Sequence, residues 1–122
     1  MENFYIEGST YIPRVDFNSE TGVLEIEGES YHEFTMEFFQ PMFDWINQYL
    51  KTDGRTITMN FKMSYFNTSS SRRFLEILEK LDSYNGKVVV NWYYEENDID
   101  MLESGEEYAE DVETLVFNLI PY

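Results

Sequence analysis

Residues 57–66 read ITMNFKMSYF. Ile57, Met59, Phe61, Met63 and Tyr65 fall on one side of an extended chain, and Thr58, Asn60, Lys62 and Ser64 on the other. Successive strand side chains point to opposite faces, so this period of two predicts a strand with one apolar and one polar face. A strand inside a parallel sheet covered on both faces is apolar throughout. The alternation therefore predicts a two-layer fold with helices on one face of the sheet only.

Upstream, residues 11–17 and 23–27 read as strands, and Leu24 and Ile26 alternate with Glu25 and Glu27. Asn18-Ser19-Glu20-Thr21-Gly22 between them carries turn chemistry and predicts a hairpin. Ser30-Tyr31-His32-Glu33 fits a capping box, a serine with a glutamate three residues on. A helix should follow to about Leu50, with Phe38, Phe39, Met42, Phe43, Ile46, Tyr49 and Leu50 at helical spacing. Pro41 predicts either a kink or a main helix that starts near Gln40. Thr52-Asp53-Gly54 closes it.

Downstream, a second helix is expected from the Thr/Ser cluster to about Tyr84, burying Phe74, Ile77, Leu78 and Leu81, with Asn85-Gly86 as its stop. Residues 87–94 read as a strand with Val88, Val90, Trp92 and Tyr94 on one side. Residues 99–110 predict a third helix with Met101, Leu102 and Tyr108 as sparse apolar contacts. Residues 114–120 read as a last strand. The order is β-β-α-β-α-β-α-β in one domain spanning residues 1–122. Strands alternating with helices imply a mostly parallel or mixed sheet with right-handed crossovers, an α/β fold. It resembles the two-layer STAS sandwich of anti-sigma-factor antagonists.

Composition narrows the function. The chain is 43% hydrophobic and 18% aromatic, enough to fold around a core. The formal net charge of −16 argues against nucleic acid and against anionic lipid, both of which need a basic footprint. There is no cysteine, so disulfides, thiolate catalysis and cysteine metal sites are excluded together. No apolar run reaches the length of a membrane span, and the first residues lack the pattern of a signal peptide. Cytoplasmic residence and a monomer are expected. No Lys or Arg follows Lys87, while acids crowd residues 95–113. Such a block is either a solvated helix face or a surface that steers a basic partner, in which case added salt slows association.

Catalytic motifs are sparse. The single histidine, His32, has no nucleophile elbow or oxyanion nest beside it and reads as a surface or capping residue. Carboxylates are abundant, but an acid/base pair needs one of them desolvated, and most lie in a run that reads as solvated. Asp98 and Asp100 lack the turn glycine and distal glutamate of a calcium loop. There is no glycine-rich phosphate loop and no zinc pattern, and no cofactor is expected. Trp92 and Tyr94 share a face with Val88 and Val90 and read as core, whereas Tyr93 points the other way.

The remaining candidate is Asn67-Thr68-Ser69-Ser70-Ser71-Arg72-Arg73. Asn67 is a good N-cap and Thr68 is then the first helical residue. First-turn N–H groups are unpaired and the helix dipole makes this end partly positive, so a phosphate on Thr68 would be favoured there. Arg72 lies one turn on, within reach as a charge-assisted partner. The local chemistry alone favours an ordinary helix cap over a phosphate site.

Longer strings carry a resemblance. Gly28-Glu29-Ser30-Tyr31-His32-Glu33, Phe39-Gln40-Pro41, Asp44-Trp45-Ile46, Tyr65-Phe66-Asn67-Thr68-Ser69-Ser70-Ser71, Asn91-Trp92-Tyr93-Tyr94-Glu95-Glu96 and Glu103-Ser104-Gly105-Glu106-Glu107 occur in order along nearly the whole chain. Together they resemble the SiaC family of bacterial regulatory phosphoproteins. His32 departs from the family's pattern, which has proline there. The resemblance implies a STAS-like fold and a non-enzymatic partner switch. A cognate Ser/Thr kinase would phosphorylate Thr68 and a PP2C-like phosphatase would reverse it. The unphosphorylated form would bind and regulate an output enzyme such as a diguanylate cyclase. Asn67, Ser69, Ser70, Ser71, Arg72 and Arg73 would form the phosphosite environment and partner face. The alternative is a constitutive acidic binding module, an inhibitor or nucleic-acid mimic, in which Thr68 is only a cap.

Overall fold

The computed structural model describes residues 1–31, 35–52 and 54–122. The chain runs β1 (Phe4–Ile6), β2 (Arg14–Phe17), β3 (Val23–Ser30), α1 (Thr35–Tyr49), β4 (Ile57–Phe66), α2 (Thr68–Asp82), β5 (Val88–Tyr94), α3 (Ile99–Asp111) and β6 (Val116–Pro121). The strands form one mixed sheet in the order β1-β2-β3-β4-β5-β6. The first two pairings are antiparallel and the last three parallel. Each βαβ crossover moves one strand further in the same direction. Crossovers of one hand taken in one direction place every helix on the same face.

Side-chain contacts locate that face. Phe17 of β2 packs on Trp45 of α1, Phe61 of β4 on Phe74 of α2, and Trp92 of β5 on Tyr108 of α3. Phe61 and Trp92 are register partners 5.3 Å apart, so the helices share one core. Leu24, Ile26, Ile57, Met59 and Met63 complete its floor. Burying each such side chain contributes about 1.5–3 kcal/mol, which makes this layer the main source of stability.

The other face is polar, as the alternation of β4 predicts. Asn60, Asn91 and Asn118 are register partners on β4, β5 and β6. Their amides form a ladder, Asn91 Nδ2 donating to Asn60 Oδ1 at 2.9 Å and Asn118 Nδ2 to Asn91 Oδ1 at 3.0 Å. Arg14 of β2 pairs with Glu25 and Glu27 of β3. These half-exposed pairs are worth at most about 1 kcal/mol each, so they fix polarity more than stability.

Several expectations need correction. The strand β1 breaks the expected order. Three residues are too few to display a period, and β1 is held by pairing with β2 and by Phe4 against Phe17. Ser30 ends β3 and is no helix cap. His32 and Glu33 of its capping box lie outside the described residues, as does Asp53. The helix α1 begins before Gln40 and carries Pro41 in its interior. The stop of α2 comes at Ser83, whose N–H bonds to Glu79 O and Lys80 O, ahead of Asn85-Gly86. The hairpin is as expected: Asn18 Oδ1 accepts from Glu20 N and Thr21 N, and Gly22 takes a φ of 73°.

The register of β4 holds the most consequential difference. Gly28 pairs with Met63 but Glu29 pairs with Tyr65, so Ser64 is an extra residue in a β-bulge. A bulge re-aims the side chains that follow it. Tyr65 leaves the core face, is 43% exposed, and stacks on Tyr31 at 4.5 Å. Phe66 turns inward instead, against Phe74 and Trp92. Opposite the bulge, Gly28 has a φ of 118°, a conformation that disfavours any side chain.

Candidate functional site: the start of the second helix

The bulge delivers the chain to α2 with Phe66 as an inward anchor. Asn67 follows in an extended conformation (φ −81°, ψ 174°) and its Oδ1 accepts from Ser70 N at 2.9 Å. Its own N–H donates to Ser30 O at 3.1 Å. Asn67 is therefore the N-cap and Thr68 the first helical residue, as the residue types predict.

Helical geometry then sorts the hydroxyls. Thr68 and Ser69 are exposed. Ser70 is fully buried, with its Oγ 2.6 Å from Ser30 Oγ. Ser71 turns toward α3, where its Oγ lies 2.9 Å from Tyr108 OH while that phenol donates to Ser71 O at 2.8 Å. Burial pushes the Tyr108 phenol up to about 12, against the smaller lowering effect of the Ser71 hydrogen bond. So the Ser/Thr cluster contains two accessible acceptors, and the other hydroxyls tie α2 to β3 and α3.

The two arginines divide the same way. Arg72 is exposed and makes no side-chain hydrogen bond or ion pair among the described residues. Arg73 keeps only 9% of its surface exposed. Its Nη2 pairs with Glu76 Oε1 at 2.7 Å, its Nη1 rests against Met36 Sδ, and its buried Nε has no partner among the described residues. Met36, Thr68, Ser69, Arg72 and Arg73 line a depression of about 380 Å³. Unlike α3, whose first turn carries Asp100 after the Asp98 cap, the first turn of α2 holds no acid. Its positive end is left uncompensated in a chain of net charge −16.

Two further hollows border this point. One of about 320 Å³ lies between the bulge and α3, lined by Ser64, Tyr65, Phe66, Asp98, Asp100, Met101 and Ser104. A groove of about 590 Å³ runs between α1 and α2, with Met36, Phe43, Glu76 and Lys80 among its walls. Sequence reasoning missed Ser30, Met36, Tyr31 and Tyr108 as neighbours of the site. None lies near Thr68 in the sequence, so no local signal marks them.

The other candidates have structural roles. Asp98 caps α3 by accepting from Met101 N at 3.0 Å. Trp92 is fully buried and its Nε1 donates to Met101 O. Among the described residues, no group of three or more His, Cys, Asp or Glu is placed to hold a metal ion. None of the described helices is long and apolar enough to cross a membrane.

Comparison with known proteins places this geometry. The family described as SiaC family regulatory phosphoprotein matches residues 6–122. A protein of Pseudomonas aeruginosa (strain UCBPP-PA14) is 29% identical over 114 residues, 91% of this chain and 90% of that one. The crystal structure of the diguanylate cyclase SiaD in complex with its activator SiaC from Pseudomonas aeruginosa matches with a TM-score of 0.89 at 26% identity, covering 98% of this chain and 99% of that one. The apo-SiaC crystal structure from the same organism matches with a TM-score of 0.84 at 26% identity, covering 99% and 98%.

Proposed function

The chain belongs to the SiaC family of regulatory phosphoproteins, and from that premise we propose that it is a non-enzymatic partner switch controlled at Thr68. A cognate Ser/Thr kinase phosphorylates Thr68 and a PP2C-like phosphatase removes the phosphate, in the cytoplasm. The unphosphorylated form binds and regulates an output enzyme. A diguanylate cyclase is the leading candidate, because the similar SiaC occurs with SiaD as its activator.

The observation that carries this reading is the exposure of Thr68 at the first helical position, in an acid-free turn, with Arg72 one turn on. Phosphorylation forms a bond from Thr68 Oγ1 to the γ-phosphorus of a nucleoside triphosphate and breaks that phosphorus's bond to the bridging oxygen. The nucleoside diphosphate leaves and the hydroxyl proton passes to a base on the kinase. The product carries about −1.5 to −2 charges. A partner packed on this end would have to desolvate that charge. Each 1.4 kcal/mol of penalty weakens binding about tenfold, so a few kcal/mol make a switch.

Two measurements test it. Intact mass of the protein purified from its native host should show one phosphate that phosphatase removes and that Thr68→Ala abolishes. In a pull-down with the cyclase, Thr68→Ala should bind and the phosphorylated protein should not. Equal binding by both would favour a constitutive acidic module, the reading supported by the exposed acids Glu103, Glu106, Glu107 and Glu110 on α3.

A further inference from the structure

Arg73 is an odd residue for its position. Its side chain is nine-tenths buried, yet among the described residues Nε has no acceptor and Nη1 faces a thioether, a weak acceptor. Among the described residues only Nη2 has a strong partner, Glu76. A buried donor without an acceptor is costly. Arg73 lines the same depression as Thr68, Ser69 and Arg72. Thr68 with Arg72, and Ser69 with Arg73, are pairs four residues apart on one helix, so each hydroxyl has an arginine one turn away. The site therefore combines free helix N–H groups, one unengaged guanidinium and one under-satisfied guanidinium around the two exposed hydroxyls of Thr68 and Ser69.

We propose that the phosphate on Thr68 is held within this same chain, by Arg72 and by the under-satisfied fork of Arg73, and that its capture is transmitted to the groove between α1 and α2. The inference rests on Thr68 being the phosphoacceptor. Phosphate oxygens accept in the geometry that guanidinium donors offer, and supply the strong acceptor that Arg73 Nε lacks. The transmission follows from what Arg73 already touches. Met36 and Glu76, its two contacts, both line the α1–α2 groove. Drawing the Arg73 fork toward a dianion loosens both contacts and reshapes that wall. Phosphorylation then acts at two places: as charge at the start of α2 and as altered shape in the groove.

The test uses full-length protein with phosphothreonine placed at position 68 by genetic encoding, which needs no kinase. The second ionisation of the phosphate is followed by phosphorus NMR, and the Met36 methyl by carbon-13 NMR. A phosphate held by two guanidinium groups should titrate about one pH unit below the ordinary value near 6. Arg72→Gln and Arg73→Lys should each return part of that shift, Arg73→Lys keeping charge and stem while removing the fork. The Met36 signal should move on phosphorylation in the wild type and not in Arg73→Lys. An ordinary titration unaffected by either substitution overturns capture. A lowered titration with an unmoved Met36 signal overturns transmission to the groove. Loss of the phosphoacceptor reading would look different: protein from the native host would carry no phosphate at Thr68, whatever the encoded phosphate does.

Discussion

The hydroxyl oxygens of Ser30 and Ser70 meet at 2.6 Å, both residues fully buried. Ser30 ends β3 and Ser70 sits in the first turn of α2, so this bond, with Asn67 N to Ser30 O, pins the start of the helix to the sheet. Thr68 is exposed because its neighbour Ser70 is anchored inward.

That pair predicts a non-additive cycle. Ser30→Ala or Ser70→Ala alone leaves a buried hydroxyl without its partner and should cost about 1–3 kcal/mol. The double variant strands neither, so its cost should fall below the sum. Urea unfolding of the four proteins measures the coupling, and strict additivity would refute it.

Gly105 sets helix propensity against packing. Alanine is favoured over glycine in a helix interior by about 1 kcal/mol. A Cβ at Gly105, however, would meet Trp92 Cδ1 at 2.4 Å and Leu119 Cδ2 at 2.7 Å. Overpacking costs about 1–3 kcal/mol, so Gly105→Ala should be net destabilising. A lowered Tm with altered Trp92 fluorescence is expected; a raised Tm would mean that α3 can shift outward at little cost.

Tyr108 gives a pH dependence whose sign is fixed. Its folded value of about 12 lies above the ordinary value near 10. Its contribution is complete below pH about 10 and is lost as pH rises through about 12, because the unfolded state loses the proton first. Tyr108→Phe should cost about 1 kcal/mol at neutral pH through its lost bonds to Ser71, and should flatten stability between about pH 10 and 12. Denaturant midpoints across that range provide the check.

The bulge residue itself should be dispensable for the core. Deletion of Ser64 leaves Glu29 opposite Tyr65 and Ser30 opposite Phe66, with Tyr65 outward and Phe66 inward. Phe66→Ala, by contrast, removes the contacts with Phe74 and Trp92 and should cost about 3–5 kcal/mol. Urea midpoints of the two variants provide the check, and a Ser64 deletion as destabilised as Phe66→Ala would show that the bulge itself holds the register.

Particular residues show what could be read in advance. The alternation of residues 57–63 predicted helices on one sheet face, and Phe61, Phe74, Trp45 and Tyr108 meet there. Asn67 was legible as a cap, because capping depends on side-chain chemistry within three residues. Tyr65 was misread, because a bulge lies in the pairing of β3 with β4 and leaves no mark in the alternation of β4 alone. The strand β1 was missed because its hydrogen bonds come from β2, and the segment before it is held by Trp45 Nε1 of α1 donating to Glu2 O at 2.8 Å.

The sequence by itself determined the periods, two for the strands and near four for the helices, together with the cap at Asn67 and the excess of acid. These are properties of neighbours along the chain. Only the tertiary structure decided which hydroxyls of the Thr/Ser cluster face water and that Arg73 is buried with an unmet donor. It also decided that Met36 and Tyr108 border the site. Each of these depends on what another element places opposite, and such a partner lies tens of residues away in the chain.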